Sequence, residues 1–253
     1  MHKLKKSLDE DLELDDYIRN RRIDVSQNPY PHFVVDDFFN EEYSKMLQSD
    51  FDTILDKGLS EEEDRSRFKP FLDLKGKYAY DGYVYTPWPG ELKSLDVFFS
   101  VGWNMFISKL FKLPTSLCTG LAYHYHPVGN KTGFIHSDFV EKTFLRTEEI
   151  PNGVFFNARE PKNFKKDDPF MFSQYRRIAL LYYLDNGWEK GDGGETGMYQ
   201  STEASLAEAV APIKNRLFAF EISEKSFHAF QENKKPRSTI IQWFHASKDM
   251  LPE

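Results

Sequence analysis

Lys112-Leu113-Pro114 divides the chain into two parts with different periodicity. Before it, from Glu91 to Phe111, apolar residues recur at helical spacing: Leu92, Leu95, Phe98, Phe99, Met105, Phe106 and Leu110. The proline ends that pattern. After it the pattern changes to short strands, read near residues 118–126, 133–138, 176–185, 196–200, 215–221, 226–230 and 237–245. Helices come first and many strands follow, which predicts one domain over residues 1–253. Residues 1–115 form an arm with supporting helices, and residues 116–247 form a mainly β jelly-roll core.

Outward from that boundary, Tyr30 to Asp36 reads as a short strand. Asn40 is a suitable N-cap, with Glu41 and Glu42 in the first turn where carboxylates favour the helix dipole, for a helix to about Phe51. Residues 1–28 read as a polar arm and 57–70 as an exposed connection. The 37 residues 139–175 contain Pro151, Gly153, Pro161 and Pro169 and interrupt the strands like a lid or binding loop. Gly191-Asp192-Gly193-Gly194 lacks the third glycine of a dinucleotide fingerprint, since position 196 is Thr196, and reads as a tight turn.

Composition narrows the function classes. Of 253 residues, 33 are basic and 40 acidic, a net charge of −7 that gives no basic footprint for nucleic acid. No apolar run approaches the roughly 20 residues of a membrane span, and the first residues lack a secretory apolar region. Cys118 is the only cysteine, so a thiolate metal site is excluded and a reducing cytoplasm is expected.

Of the seven histidines, two sit in suggestive places. Phe134-Ile135-His136-Ser137-Asp138-Phe139 places a histidine and an aspartate two apart on a strand, hence on one face. His228, in Ser226-Phe227-His228-Ala229-Phe230, is the candidate third ligand. Two histidines and one carboxylate on one side of an ion leave open positions, the facial triad of non-haem Fe(II) oxygenases. Arg237, nine positions after His228, opens the apolar strand Ser238 to Phe244 and is suited to hold a carboxylate through two parallel hydrogen bonds.

The order of these motifs carries a resemblance. His136-x-Asp138, Arg177-Ile178-Ala179-Leu180-Leu181-Tyr182-Tyr183-Leu184-Asp185, Gly193-Gly194-Glu195-Thr196-Gly197, Arg216-Leu217-Phe218-Ala219-Phe220, His228 and Arg237 together resemble the prolyl 4-hydroxylase-like 2-oxoglutarate oxygenases over roughly residues 120–245. The segment Tyr30 to Phe38 is similar to the start of their cytosolic branch. The resemblance implies a double-stranded β-helix (cupin-like) fold. It implies Fe(II), 2-oxoglutarate and O2 as cofactor and co-substrates, with ascorbate as an accessory reductant. It implies Tyr183 beside Arg237 on the distal carboxylate, and Leu181, Thr196 and Trp243 as pocket walls. The family's tyrosine ten residues before the metal motif falls on His126, with Tyr125 adjacent, so that contact is assigned to one of these two.

The implied reaction is hydroxylation of an unactivated C–H bond; halogenases of this superfamily lack the carboxylate ligand that Asp138 supplies. The nucleic-acid demethylase branch has a second arginine six residues after the first, where this chain has Trp243. The substrate reading is a prolyl residue of a protein or peptide docking under 139–175, with a free amino acid or small metabolite as the alternative. Rivals of other classes are a non-catalytic jelly-roll binding module and a cupin-type metal enzyme without 2-oxoglutarate, neither of which needs Arg237 with all three ligands.

Overall fold

The computed structural model describes residues 14–60, 65–70, 82–145, 154–156, 171–185 and 187–251. In chain order they form β1 (His32–Val35), α1 (Glu41–Leu55), β2 (Lys69–Pro70), β3 (Tyr83–Tyr85), α2 (Val101–Phe111), β4 (Cys118–His126), β5 (His136–Ser137), β6 (Glu141–Leu145), β7 (Phe155–Phe156), β8 (Met171–Tyr183), β9 (Thr196–Tyr199), β10 (Glu208–Val210), β11 (Arg216–Glu221), β12 (Phe227–Phe230) and β13 (Arg237–Ala246). The larger sheet runs β1-β11-β8-β13-β4-β3-β2, with β6 added on β8 and β7 on β4, and the smaller runs β10-β9-β12-β5. Among these pairings only β4 with β7 is parallel. This is the expected helix-supported jelly roll, the double-stranded β-helix.

Strand alternation on β8 builds both sides of the larger sheet. Ile178, Leu180 and Tyr182 join the core beneath the helices. Ala179, Leu181 and Tyr183 face the other way, into the space between the sheets with Met198, Phe218 and Phe220. Helix α1 covers the first side. The Asn40 side chain accepts from the Tyr43 amide at 2.8 Å, capping it as expected. Tyr43, Leu47, Phe51 and Ile54 then fall on one face and are buried. Each fully buried side chain of this size contributes about 1.5–3 kcal/mol of transfer free energy, which anchors the helix to the sheet.

Four expectations need correction. The helix predicted over 91–111 is a 3-10 turn at Lys93–Leu95 followed by a break, because Ser100 Oγ accepts from the Trp103 amide at 3.1 Å and starts α2 at Val101. The connection predicted over 57–70 is not uniformly exposed. Phe68 is buried against Phe51 and Tyr85, and β2 pairs with β3. The insertion at 139–175 is partly sheet: β6 pairs with the first half of β8, which starts at Met171 rather than 176, and β7 pairs with β4. The remainder of that lid, 146–153 and 157–170, and the first 13 residues of the polar arm lie outside the described residues. Strands β2, β3 and β10 are short, and no strand was predicted at any of them.

The glycine turn is as expected. Gly193 and Gly194 have φ of +75° and +76°, and a Cβ on Gly193 would sit 2.0 Å from the Glu232 carbonyl oxygen. The close approach lets the Gly194 amide donate to that carbonyl at 2.9 Å and ties the turn to the segment preceding β13.

Candidate metal centre and the cavity beside it

Strand pairing assembles the three candidate ligands. In the smaller sheet His136 on β5 stands directly opposite His228 on β12, with ring centroids 4.5 Å apart. Asp138 follows two residues after His136. One ligand atom from each of His136, Asp138 and His228 lies within 4.8 Å of the others. The His136 Nδ1 is 3.0 Å from the Phe134 carbonyl oxygen. A carbonyl only accepts, so Nδ1 carries the proton and Nε2 keeps its lone pair for an ion, the usual outer support of a metal-binding histidine. Two imidazoles and a carboxylate on one side are a fitting donor set for Fe(II).

Electrostatics keep the ligands in the forms a metal needs. Burial would raise the Asp138 carboxyl, but Arg176, the two histidines and the Trp243 N–H outweigh it and hold the group well below the usual carboxylate range. Burial, reinforced by His136, pushes the His228 imidazole down to about 4, so it stays neutral at physiological pH. Arg176 Nη1 lies 3.0 Å from Asp138 Oδ1, and Trp243 Nε1 donates to Oδ2 at 2.7 Å.

A cavity of roughly 220 Å³ opens beside the triad. Leu181, Thr196 and Trp243 line it, with Ile241, Phe220 and Phe230 completing an apolar wall. Arg237 also lines it and is 4% exposed. Its guanidinium donates from Nε to Thr239 Oγ1 and from Nη1 to the Gly194 carbonyl, both at 3.2 Å. Among the described residues it has no carboxylate partner. A buried cation facing a cavity with only neutral acceptors is costly unless an anion completes the site.

The structure separates the remaining candidates. The register Arg237↔His126 and Thr239↔His124 puts His126 and His124 on the cavity wall. Tyr125, between them, points to the opposite face and packs near Phe51 and Phe68. Of the two, His126 is the one that lines the cavity. Tyr183 sits behind the wall rather than in it: its hydroxyl is 2.8 Å from Thr196 Oγ1, and its ring is 5.3 Å from the Arg237 guanidinium. Burial also raises its pKa, so the phenol stays protonated.

Arg176 is the site residue that the sequence reading missed. Alternation outward from Ala179 and Leu181 assigns Arg177 to the cavity side. Between Phe244↔Ile178 and His245↔Arg176 the register slips by one residue, a β-bulge that skips Arg177. The slip brings Arg176 into the cavity lining and leaves Arg177 paired with Glu221 at 3.0 Å. An Arg-Arg pair directly before the apolar run Ile178 to Leu184 was the available signal, but it does not say which arginine turns inward.

Comparison with known proteins agrees with this geometry. Residues 157–245 match the family described as the 2OG-Fe(II) oxygenase superfamily. The prolyl 3-hydroxylase OGFOD1 of Xenopus laevis is 34% identical over 77 residues, 28% of this chain and 15% of that protein. Its Mus musculus counterpart is 32% identical over 77 residues, 28% of this chain and 14% of the relative. The match therefore spans about a seventh of these relatives. A Pseudomonas putida prolyl-4-hydroxylase superimposes with a TM-score of 0.56 at 15% identity, covering 85% of this chain and 92% of that one. A Trichoplax adhaerens prolyl hydroxylase, solved with a hypoxia inducible factor peptide, gives 0.53 at 14% identity over 87% and 85%. These structures share the fold.

Proposed function

We propose that this chain is a prolyl 4-hydroxylase-like 2-oxoglutarate oxygenase that hydroxylates a prolyl residue of a protein or peptide, a reading supported by the superfamily match over residues 157–245 and by the shared fold. The observation that carries the chemistry is the pairing of two incomplete sites in one cavity. A triad with room for an ion stands beside a buried guanidinium that lacks an anion. A five-carbon dicarboxylate satisfies both, one end at the metal and the other at Arg237.

In this reading His136, Asp138 and His228 hold Fe(II), and Arg237 receives the distal carboxylate of 2-oxoglutarate through the N–H groups that Thr239 and Gly194 leave over. His126, directly opposite Arg237 in register, adds a neutral imidazole to the same end of the pocket. Leu181, Ile241 and Phe230 exclude water along the chain of the co-substrate, which strengthens the ion pair at its end. Tyr183 acts by fixing Thr196. When bound, Fe(II) with 2-oxoglutarate and O2 supplies the oxidising power: one oxygen atom enters the C–H bond and the other leaves in succinate, with carbon dioxide released.

The polypeptide substrate is supported by the relatives, two of which are named prolyl 3-hydroxylases, and by the neighbour solved with a peptide. No helix among the described residues is long and apolar enough to cross a membrane, and the cytoplasm is the proposed location.

The test is succinate release by the purified protein with Fe(II), 2-oxoglutarate and air, after a cell extract is split into macromolecules and small molecules. Stimulation by the macromolecular fraction, with an added oxygen mapped to a prolyl residue, is the expected result. Stimulation by the small-molecule fraction alone would replace it with a metabolite hydroxylase. Release that persists unchanged in His136→Ala would overturn the metal assignment.

A further inference from the structure

Asp138 is held by two groups that also hold each other. The Trp243 indole N–H donates to Oδ2 at 2.7 Å, the Arg176 guanidinium bonds Oδ1 at 3.0 Å, and the guanidinium lies 4.0 Å from the indole ring centroid. Trp243 comes from β13 and Arg176 from β8, neighbouring strands of the larger sheet, while Asp138 follows β5 of the smaller sheet. The clamp therefore bridges the two sheets at the metal centre. Its geometry is closed: a planar donor on each carboxylate oxygen and a cation over an aromatic face, an arrangement Lys in place of Arg would not reproduce.

The two oxygens are not equivalent. Oδ1 is turned towards the centre, 3.9 Å from His136 Nε2. Oδ2 is committed to the indole. A free carboxylate beside a divalent ion can offer one oxygen or two, and a second oxygen would take a position that 2-oxoglutarate or O2 requires. Resting on the proposed metal-dependent chemistry, we infer that Trp243 and Arg176 are positioning residues. Trp243 holds Oδ2 away from the histidine pair, and Arg176, stacked on the indole, fixes the direction of Oδ1, so that one oxygen of Asp138 is presented to the metal and co-substrate positions stay open.

Three features make this more than a packing contact. The indole has its one donor satisfied by a ligand carboxylate rather than by backbone or water. Opposite Trp243 in register stands Gly120, which leaves space above the sheet for a large side chain. The bulge that skips Arg177 is what brings Arg176 over the ring. Trp243 is thus a wall of the co-substrate pocket and the orienter of a metal ligand at once.

The experiment uses Co(II) as a visible probe on the full chain. Trp243→Phe keeps a ring under Arg176 and removes only the N–H and part of the indole. It is expected to bind Co(II), to show altered d–d absorption before any 2-oxoglutarate is added, and to need about tenfold more 2-oxoglutarate for half-saturation, equivalent to about 1.4 kcal/mol. Arg176→Lys keeps the charge and loosens the stack, so it should shift the same spectrum in the same direction by less. It is the variant to read if Trp243→Phe does not fold. Variants whose Co(II) spectrum and 2-oxoglutarate midpoint both match wild type would overturn the clamp. A wild-type protein that takes up no Co(II), or whose Co(II) spectrum ignores 2-oxoglutarate, would instead overturn the proposed function.

Discussion

Replacing Arg237 with methionine should make the protein more stable and useless to its co-substrate at the same time. Arg237 is 4% exposed, lines a cavity, and its guanidinium has two neutral acceptors and no carboxylate among the described residues. An unpaired ion so placed costs several kcal/mol after relaxation, although water in the cavity and the nearby rings of Tyr183 and Phe230, both 5.3 Å away, offset part of it. Methionine keeps most of the apolar stem and removes the charge. Against this gain stand two lost hydrogen bonds, of which the one to Gly194 leaves a carbonyl without that donor, at about 1 kcal/mol.

The net expectation is about 1–2 kcal/mol of added stability, or roughly 2–8 °C in Tm for a chain of this size. The ligand response moves the other way. At a hundred times its Kd, 2-oxoglutarate should stabilise the metal-loaded wild type by about 2.7 kcal/mol, and that increment should vanish in Arg237→Met. Thermal melts of both proteins with Co(II), with and without 2-oxoglutarate, measure all four values. A variant that melts well below wild type and still responds to 2-oxoglutarate would refute the reasoning, because it would make Arg237 a structural cation rather than an anion receptor.

Three further outcomes follow from the packing. Tyr183→Phe should change the 2-oxoglutarate KM by less than about threefold if the phenol donates its proton to Thr196; a change matching that of the arginine variant would place the phenol proton on the ligand, with Thr196 as the donor between them. Gly193→Ala should cost at least about 3 kcal/mol in urea unfolding, combining a positive φ with a backbone oxygen 2.0 Å from the new Cβ. Gly191→Ala in the same turn, with φ +100° and open space, should cost about 1–2 kcal/mol. Burial pushes the imidazoles of His124 and His245 down to about 3, while an unfolded chain takes up their protons near 6.5. Their contribution is therefore fully present above pH 6.5 and falls as pH drops, by about 2 kcal/mol for each ring at pH 5. Urea midpoints at pH 8 and pH 5 should show this loss, and His245→Asn should reduce it.

What could be read from the sequence alone was local. Asn40 before two glutamates marks a capped helix because capping acts within one turn. His136 and Asp138 share a face because strand side chains repeat every two residues. The motif order from His136 to Arg237 picked out the candidate triad and the guanidinium without coordinates. Tertiary structure decided what depends on pairing between distant segments. Alternation says that Tyr125 and His126 face opposite ways, but only the pairing of β4 with β13 says which one meets Arg237. The glycine turn was legible, whereas the delivery of Gly194's carbonyl to Arg237 was not. Within the insertion, β6 exists because the first half of β8 offers it an edge, a partner supplied by long-range pairing rather than by local propensity. Arg176 entered the site through a one-residue slip against β13, and a bulge is a property of two strands together. That slip turned the adjacent arginine, Arg177, towards Glu221 and set Arg176 against the carboxylate of Asp138, the candidate ligand.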